Sequence, residues 1–160
     1  MKSSNLLSLA NVAKEAAKNA GKNLFKEFQK PQEVLLSKGR DIKLAVDEIA
    51  EKIIIDCLKE GSKLPILSEE AGITDDLGSE FWVVDPLDGT SNFSRSIPIC
   101  SSSISLIKDG SPCIGVIYDF LNNNLYWGAN GMGAHCNEMP IQVSNVSSKS
   151  EGTLMTGIPA

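Results

Sequence analysis

Residues 82–90 read Trp-Val-Val-Asp-Pro-Leu-Asp-Gly-Thr, so two carboxylates, Asp85 and Asp88, stand three apart at the end of an apolar run. Acids that face one point at this range raise each other's pKa. A divalent cation removes the conflict, and an all-oxygen donor set suits Mg²⁺, Mn²⁺ or Ca²⁺. Pro86 fixes its own φ and drives Asp85 into extended backbone. Gly89 permits a sharp bend or a close approach to a ligand. Thr90, Ser91 and Asn92 are good openers of a helix. Free N–H groups of a helix starting near Thr90 would sit beside the cations and receive a phosphate. Taken alone, the four residues Asp85–Asp88 read better as a capped turn, with Asp88 bonding the backbone two residues on. Two more acidic features flank this stretch: Leu67-Ser68-Glu69-Glu70 at the end of another apolar run, and Asp47 inside a helical pattern. Each alone reads as a solvated loop and a helix surface charge. The spacing excludes an EF-hand loop, which needs acids at alternate positions.

The elements that must position these acids follow from periodicity. Apolar residues from Leu6 to Phe28 recur at helical spacing, which predicts a helix over 4–29 that Gly21 weakens and Pro31 stops. A second helix is predicted over 42–59, from Ile42 to Leu58, with Gly61 as its C-cap. Short strands are then expected at 64–67, 81–84, 101–107, 113–120, 125–127 and 134–136. Turns are expected at Asp109-Gly110 and 122–124, and a glycine-containing loop at 128–133. Gly131-Met132-Gly133 opens no helix and is a hairpin loop, not a nucleotide fingerprint. Two helices followed by a meander of strands give an α+β fold with helices packed on a largely antiparallel sheet.

Composition narrows the function. The chain has 160 residues, 42% hydrophobic and 22% charged, with a net charge of −5. This argues against a nucleic-acid polymer or an anionic membrane as partner. It leaves a phosphorylated substrate open, since bound cations make a site locally positive. Cys57, Cys100, Cys113 and Cys136 form no CxxC, and His135 is the one histidine. Reduced core thiols and a surface or loop histidine are the reading, not a zinc cage. No secretion signal or spanning segment is visible, which leads us to expect a cytoplasmic protein.

The stretch WVVDPLDGTSNF at 82–93 closely resembles the first signature of the inositol monophosphatase family of metal-dependent sugar phosphatases, W-x-x-D-P-[ILV]-D-G-T-x-N-F. LSEE at 67–70 resembles the family's G-E-E, with Ser68 in place of the usual glycine. LAVD at 44–47, GVIYDF at 115–120, GMGAHCN at 131–137 and Thr156-Gly157-Ile158-Pro159 also agree. The resemblance implies the first half of a sugar-phosphatase-type layered α/β fold, carrying its metal-binding domain over 1–160. It implies two or three Mg²⁺ ions, with Mn²⁺ as a substitute. Glu69 would ligate the first ion and help hold the attacking water. Asp85 would bridge two ions, the Leu87 carbonyl would join them, and Asp88 would bind the second. Thr90 would orient the water, with Asp47 holding the Thr90 hydroxyl. Gly89, Thr90 and Ser91 would receive the phosphate, and Glu70 would stand behind the ligands.

The implied activity is hydrolysis of inositol monophosphate or a related sugar phosphate by activated water, with no serine or cysteine nucleophile. The resemblance also implies lithium sensitivity and a homodimer. The family's second α/β half, whose later aspartate completes the second metal site, has no counterpart here: Trp127 is followed by Gly128, not Asp. The alternative is therefore a non-catalytic metal- or phosphate-binding module acting through a partner chain. The full set Glu69, Asp85, Asp88, Thr90 and Asp47 favours the enzyme.

Overall fold

The computed structural model describes residues 3–38, 41–69, 71–73 and 76–153. The chain begins with helix α1 (Ser3–Glu27), strands β1 (Val34–Lys38) and β2 (Asp41–Leu44), and helix α2 (Ala45–Gly61). Strands β3 (Ile66–Ser68), β4 (Gly72–Ile73) and β5 (Glu80–Asp88) lead to a single helical turn, α3 (Thr90–Phe93). The meander β6 (Ser101–Lys108), β7 (Ser111–Asp119), β8 (Asn124–Ala129), β9 (Gly133–Cys136) and β10 (Met139–Ile141) follows. Among the described residues, β1 and β2 pair as a separate hairpin. The others form an eight-stranded sheet in the order β10-β9-β8-β7-β6-β5-β3-β4. All its pairings are antiparallel except β3 with β5. The α+β architecture is the one expected.

The apolar stripe of α1 (Leu6, Ala10, Ala13, Ala17, Ala20, Leu24) is buried, and its alanines let the helix lie close to its neighbours. It packs on α2 and on β6, β7 and β8, while α2 packs on β5. Trp82, Ile104, Leu106, Ile114 and Leu125 fill the core from the sheet side. A second tie joins α1 to the sheet. Lys14 Nζ lies 4.2 Å from the centre of the Trp127 ring, on which His135 stacks at 4.5 Å. His135 is thus a half-buried strand residue, not a loop histidine.

Several boundaries differ from expectation. The pattern over 42–59 is not one helix: its first residues form β2, and α2 starts at Ala45. Asp47 explains the start, because its Oδ2 accepts the Leu44 N–H at 2.7 Å, as the third residue of a capping box does. Leu44 has no polar side chain to return the bond. Gly61 is not a left-handed C-cap. It is the last residue of α2, and a Cβ there would lie 2.5 Å from Val12 Cγ2, so the glycine serves a helix–helix contact. Gly21 serves a helix–sheet contact, against the Tyr118 ring of β7. The strand at 81–84 continues through Asp88, and β8 runs to Ala129, shortening the predicted glycine loop. The turn Asp109-Gly110 is as predicted, with φ of 50° and 74°.

Candidate metal and phosphate site

The site begins where β3 ends alongside the middle of β5. Their parallel register sets Ser68 opposite Val84, and the Glu69 N–H continues it by donating to the Val84 carbonyl at 3.1 Å. Glu69, from a different part of the chain, is thereby delivered next to Asp85. Past this point β5 is irregular. Asp85 pairs with Ser103 and Asp88 with Ser101, so three steps on β5 match two on β6. That is a bulge, and it is why Pro86 is tolerated inside a strand. In a regular strand, residues three apart face opposite sides. The extra residue resets the alternation, so the two aspartates feel one another.

The electrostatics follow. Asp85 is half-buried, and its pKa is pushed up to about 7, first by burial and then by the negative charges of Glu69 and Asp88. Its Oδ1 is buried with no hydrogen-bond partner among the described residues. Asp88 is exposed and opens on a cleft of about 320 Å³ lined by Gly89, Asn92, Ile99, Cys100 and Asp119. Burial, with Asp119 and Asp88 close by, pushes the Cys100 thiol up to about 11, so it is no nucleophile at neutral pH.

Gly89 has φ of 91°, and a Cβ there would meet the Ile99 carbonyl oxygen at 2.7 Å, so glycine is required twice over. It caps α3, whose opening residues Thr90 and Ser91 carry N–H groups with no partner within the helix. Thr90 Oγ1 donates to the Leu87 carbonyl at 2.9 Å. Asp47 is buried at the N-terminus of α2, and α3 packs against β2, whose last residue Asp47 holds. The structure therefore brings Glu69, Asp85, Leu87, Asp88, Gly89, Thr90 and Ser91 to one end of the sheet. Glu70 lies outside the described residues, as do Thr156–Pro159.

Among the described residues, no group of three or more His, Cys, Asp or Glu side chains is drawn together closely enough to hold a metal ion. The donors that are adjacent nevertheless fit a hard cation. A half-buried carboxylate carries an unpartnered oxygen, a second carboxylate lies beside it, and the Leu87 carbonyl has a second lone pair beyond the one taken by Thr90. A consequence is measurable. An acid whose pKa is raised on folding, here from 3.8 to about 7, costs no stability below pH 4. The penalty grows as pH rises to about 7 and is full above it. Screening at a half-exposed group reduces it to about 1–2 kcal/mol. The metal-free protein should therefore melt lower at pH 8 than at pH 5, and Mg²⁺ should restore more of the melting temperature at pH 8. Thermal melts with and without EDTA at both pH values check this.

Two features escaped the sequence reading. Asp119 was part of a matched hairpin with no role, yet it lines the cleft beside Asp88. It also accepts bonds from the Asn122 N–H and Nδ2 at 3.1 and 2.8 Å, shaping the β7–β8 turn. Glu51, on α2, is buried against the Glu69 loop. The signal available for Glu51 was its place one turn after Asp47 on the same helix face.

Comparison with known proteins places the family and the fold. The profile of the inositol monophosphatase family matches residues 5–160. An inositol-1-monophosphatase of Synechocystis sp. is 37% identical over 160 residues, covering 96% of this chain and 55% of that protein. A Nus factor SuhB of Xylella fastidiosa is 39% identical, covering 92% of this chain and 54% of that protein. The solved structure of an inositol monophosphatase from Anabaena (Nostoc) sp. superposes with a TM-score of 0.77 at 33% identity, over 89% of this chain and 52% of that one. The chain thus spans about half the length of the curated relatives it matches. Among the described residues, no helix is long and apolar enough to cross a membrane. With the family profile covering nearly every residue, the chain belongs to the inositol monophosphatase family.

Proposed function

We propose that this chain carries the metal- and phosphate-binding half of a Mg²⁺-dependent phosphomonoesterase acting on inositol monophosphate or a related sugar phosphate. The observation that carries the reading is the Glu69–Asp85 pair, set together by the parallel β3–β5 register, where burial and the Glu69 charge both raise the Asp85 pKa. Acids are not placed so for stability, and oxygen donors of this kind call for a cation. Glu69, Asp85, the Leu87 carbonyl and Asp88 would hold the ions. When bound, Mg²⁺ would polarise the phosphate and acidify a water.

The remaining work falls to the chain's own groups. The Thr90 hydroxyl commits its proton to Leu87, so toward a water it can act only as acceptor, which fixes how that water points. Asp47, buried at the start of α2, holds the end of β2, against which α3 packs. The N–H groups at Gly89–Ser91 would receive the phosphate oxygens, and the αL backbone of Gly89 sets their direction. The cleft beside Asp88 and Asp119 suits a polar, hydroxyl-rich leaving group, since carboxylates accept from sugar hydroxyls. We assign the protein to the cytoplasm and expect a homodimer.

The test is phosphate release from inositol monophosphate and a panel of sugar phosphates, with Mg²⁺, with Mn²⁺ and after chelation. Release that needs the cation is expected. Release untouched by EDTA would overturn the mechanism. No release from any ester in Mg²⁺ would leave the non-catalytic binding module as the better account.

A further inference from the structure

Glu69 follows β3 directly, at the start of the connection to β4. Ser68 and Gly72 pair across it as the ends of the β3–β4 hairpin. Glu51 reaches in from α2, 17 residues from Ser68 in sequence. Its Oε1 accepts both the Ser68 hydroxyl at 2.5 Å and the Ala71 N–H at 2.8 Å. The first donor lies before Glu69 in the chain and the second after it, so one carboxylate oxygen ties the backbone on both sides of Glu69. Glu51 is 7% exposed and Ser68 3%. Hydrogen bonds to a carboxylate are stronger than those to a neutral acceptor. The Glu69 N–H, on the Val84 carbonyl, fixes the same stretch against β5. One of the two donors to Glu51 is thus a side chain, the Ser68 hydroxyl, and the other is backbone.

Resting on the metal-site reading above, we infer that Glu51 is a positioning residue. It holds the backbone around Glu69 through Ser68 and Ala71, so that the Glu69 carboxylate is presented to the cation beside Asp85. The groups touching the ion are not Glu51's own atoms, so its removal should weaken cation binding without changing the donor set. Outer partners of metal ligands typically matter about 10–100-fold in affinity.

The experiment measures Mg²⁺ affinity by calorimetry on the purified protein, alongside the apparent Mg²⁺ requirement and the KM for the phosphate ester at saturating Mg²⁺. Glu51→Ala should weaken Mg²⁺ binding about 10–100-fold. Glu51→Gln keeps an acceptor oxygen at Oε1 and should stay within about threefold of the parent. Ser68→Ala, which deletes one donor and no volume beyond a hydroxyl, should fall between. KM at saturating Mg²⁺ should stay within about twofold in all three, a split that general loosening of the fold would not give. Asp85→Asn serves as the reference. If it abolishes Mg²⁺ binding while Glu51→Ala binds as the parent does, the positioning role is overturned and the metal site stands. If Asp85→Asn also binds normally, the metal site itself falls. Should Glu51→Ala not fold, Ser68→Ala decides, and unchanged Mg²⁺ affinity there overturns the proposal.

Discussion

Replacing Asp85 by Asn should abolish Mg²⁺-dependent phosphate release, by at least about 10²–10³-fold, because the bridging charge of the proposed centre is lost while the shape is kept. The same change should stabilise the metal-free protein at pH 8. There the parent ionises Asp85 against burial, Glu69 and Asp88, and asparagine has no charge to desolvate. The two readouts thus move in opposite directions. Steady-state assays of phosphate release, paired with melts in EDTA, separate this from misfolding, which would lower both. A residue whose charge harms the empty fold but serves the loaded one is the usual form of a trade between stability and activity. Activity retained in Asp85→Asn would end the metal mechanism. An unchanged melting temperature in EDTA would mean that the strain at Asp85 is relieved some other way.

Trp82→Ala should cost about 3–5 kcal/mol, the usual penalty for emptying a fully buried tryptophan site. That corresponds to a fall of about 10 °C in melting temperature for a chain of this size. Trp82 is 0% exposed and its Nε1 donates to Ser62 Oγ at 3.1 Å. Its backbone N–H donates to the Pro65 carbonyl at 2.9 Å, and it pairs with Ile66. The tryptophan therefore joins β5 to the α2–β3 connection directly beneath the point where Glu69 meets Asp85. Trp82→Phe, which keeps most of the ring volume but not the Ser62 bond, should cost about 1–2 kcal/mol. Calorimetric melts of the two variants check both figures. Equal losses would mean that the hydrogen bond, not the ring, secures this junction.

These two residues also show what the sequence could disclose. Trp82, Asp85, Asp88, Gly89 and Thr90 lie within nine positions, so their chemistry is local and can be read directly. Proline, glycine and two acids in that order leave few backbone solutions. The helices and the central strands were equally legible, since their apolar periods are long. The Glu51–Ser68 tie was not, because it spans 17 residues between a helix and a strand and leaves no periodic trace. The β1–β2 hairpin was missed for a different reason. Ile42 falls in phase with the apolar stripe of α2, and only the cap at Asp47 marks where the strand gives way. Gly61 misled because a glycine at a helix end has two causes, a left-handed cap or a close neighbour. Only the position of Val12 decides between them.

The ends of the eight-stranded sheet have their own consequence. Its middle strands β5, β6 and β7 run eight or nine residues, whereas β10 has three and β4 two. Pro140 occupies the centre of β10 and offers no N–H, and Gly72 in β4 is left-handed at φ of 72°. A foreign strand seeking to extend the sheet would find a missing donor at one side and barely one pair of residues at the other. Met139 and Ile141 are 70% and 43% exposed on β10, so apolar surface alone would invite such growth. The proline and the shortness of both edges work against sideways polymerisation, which the long, regular strands inside would otherwise template.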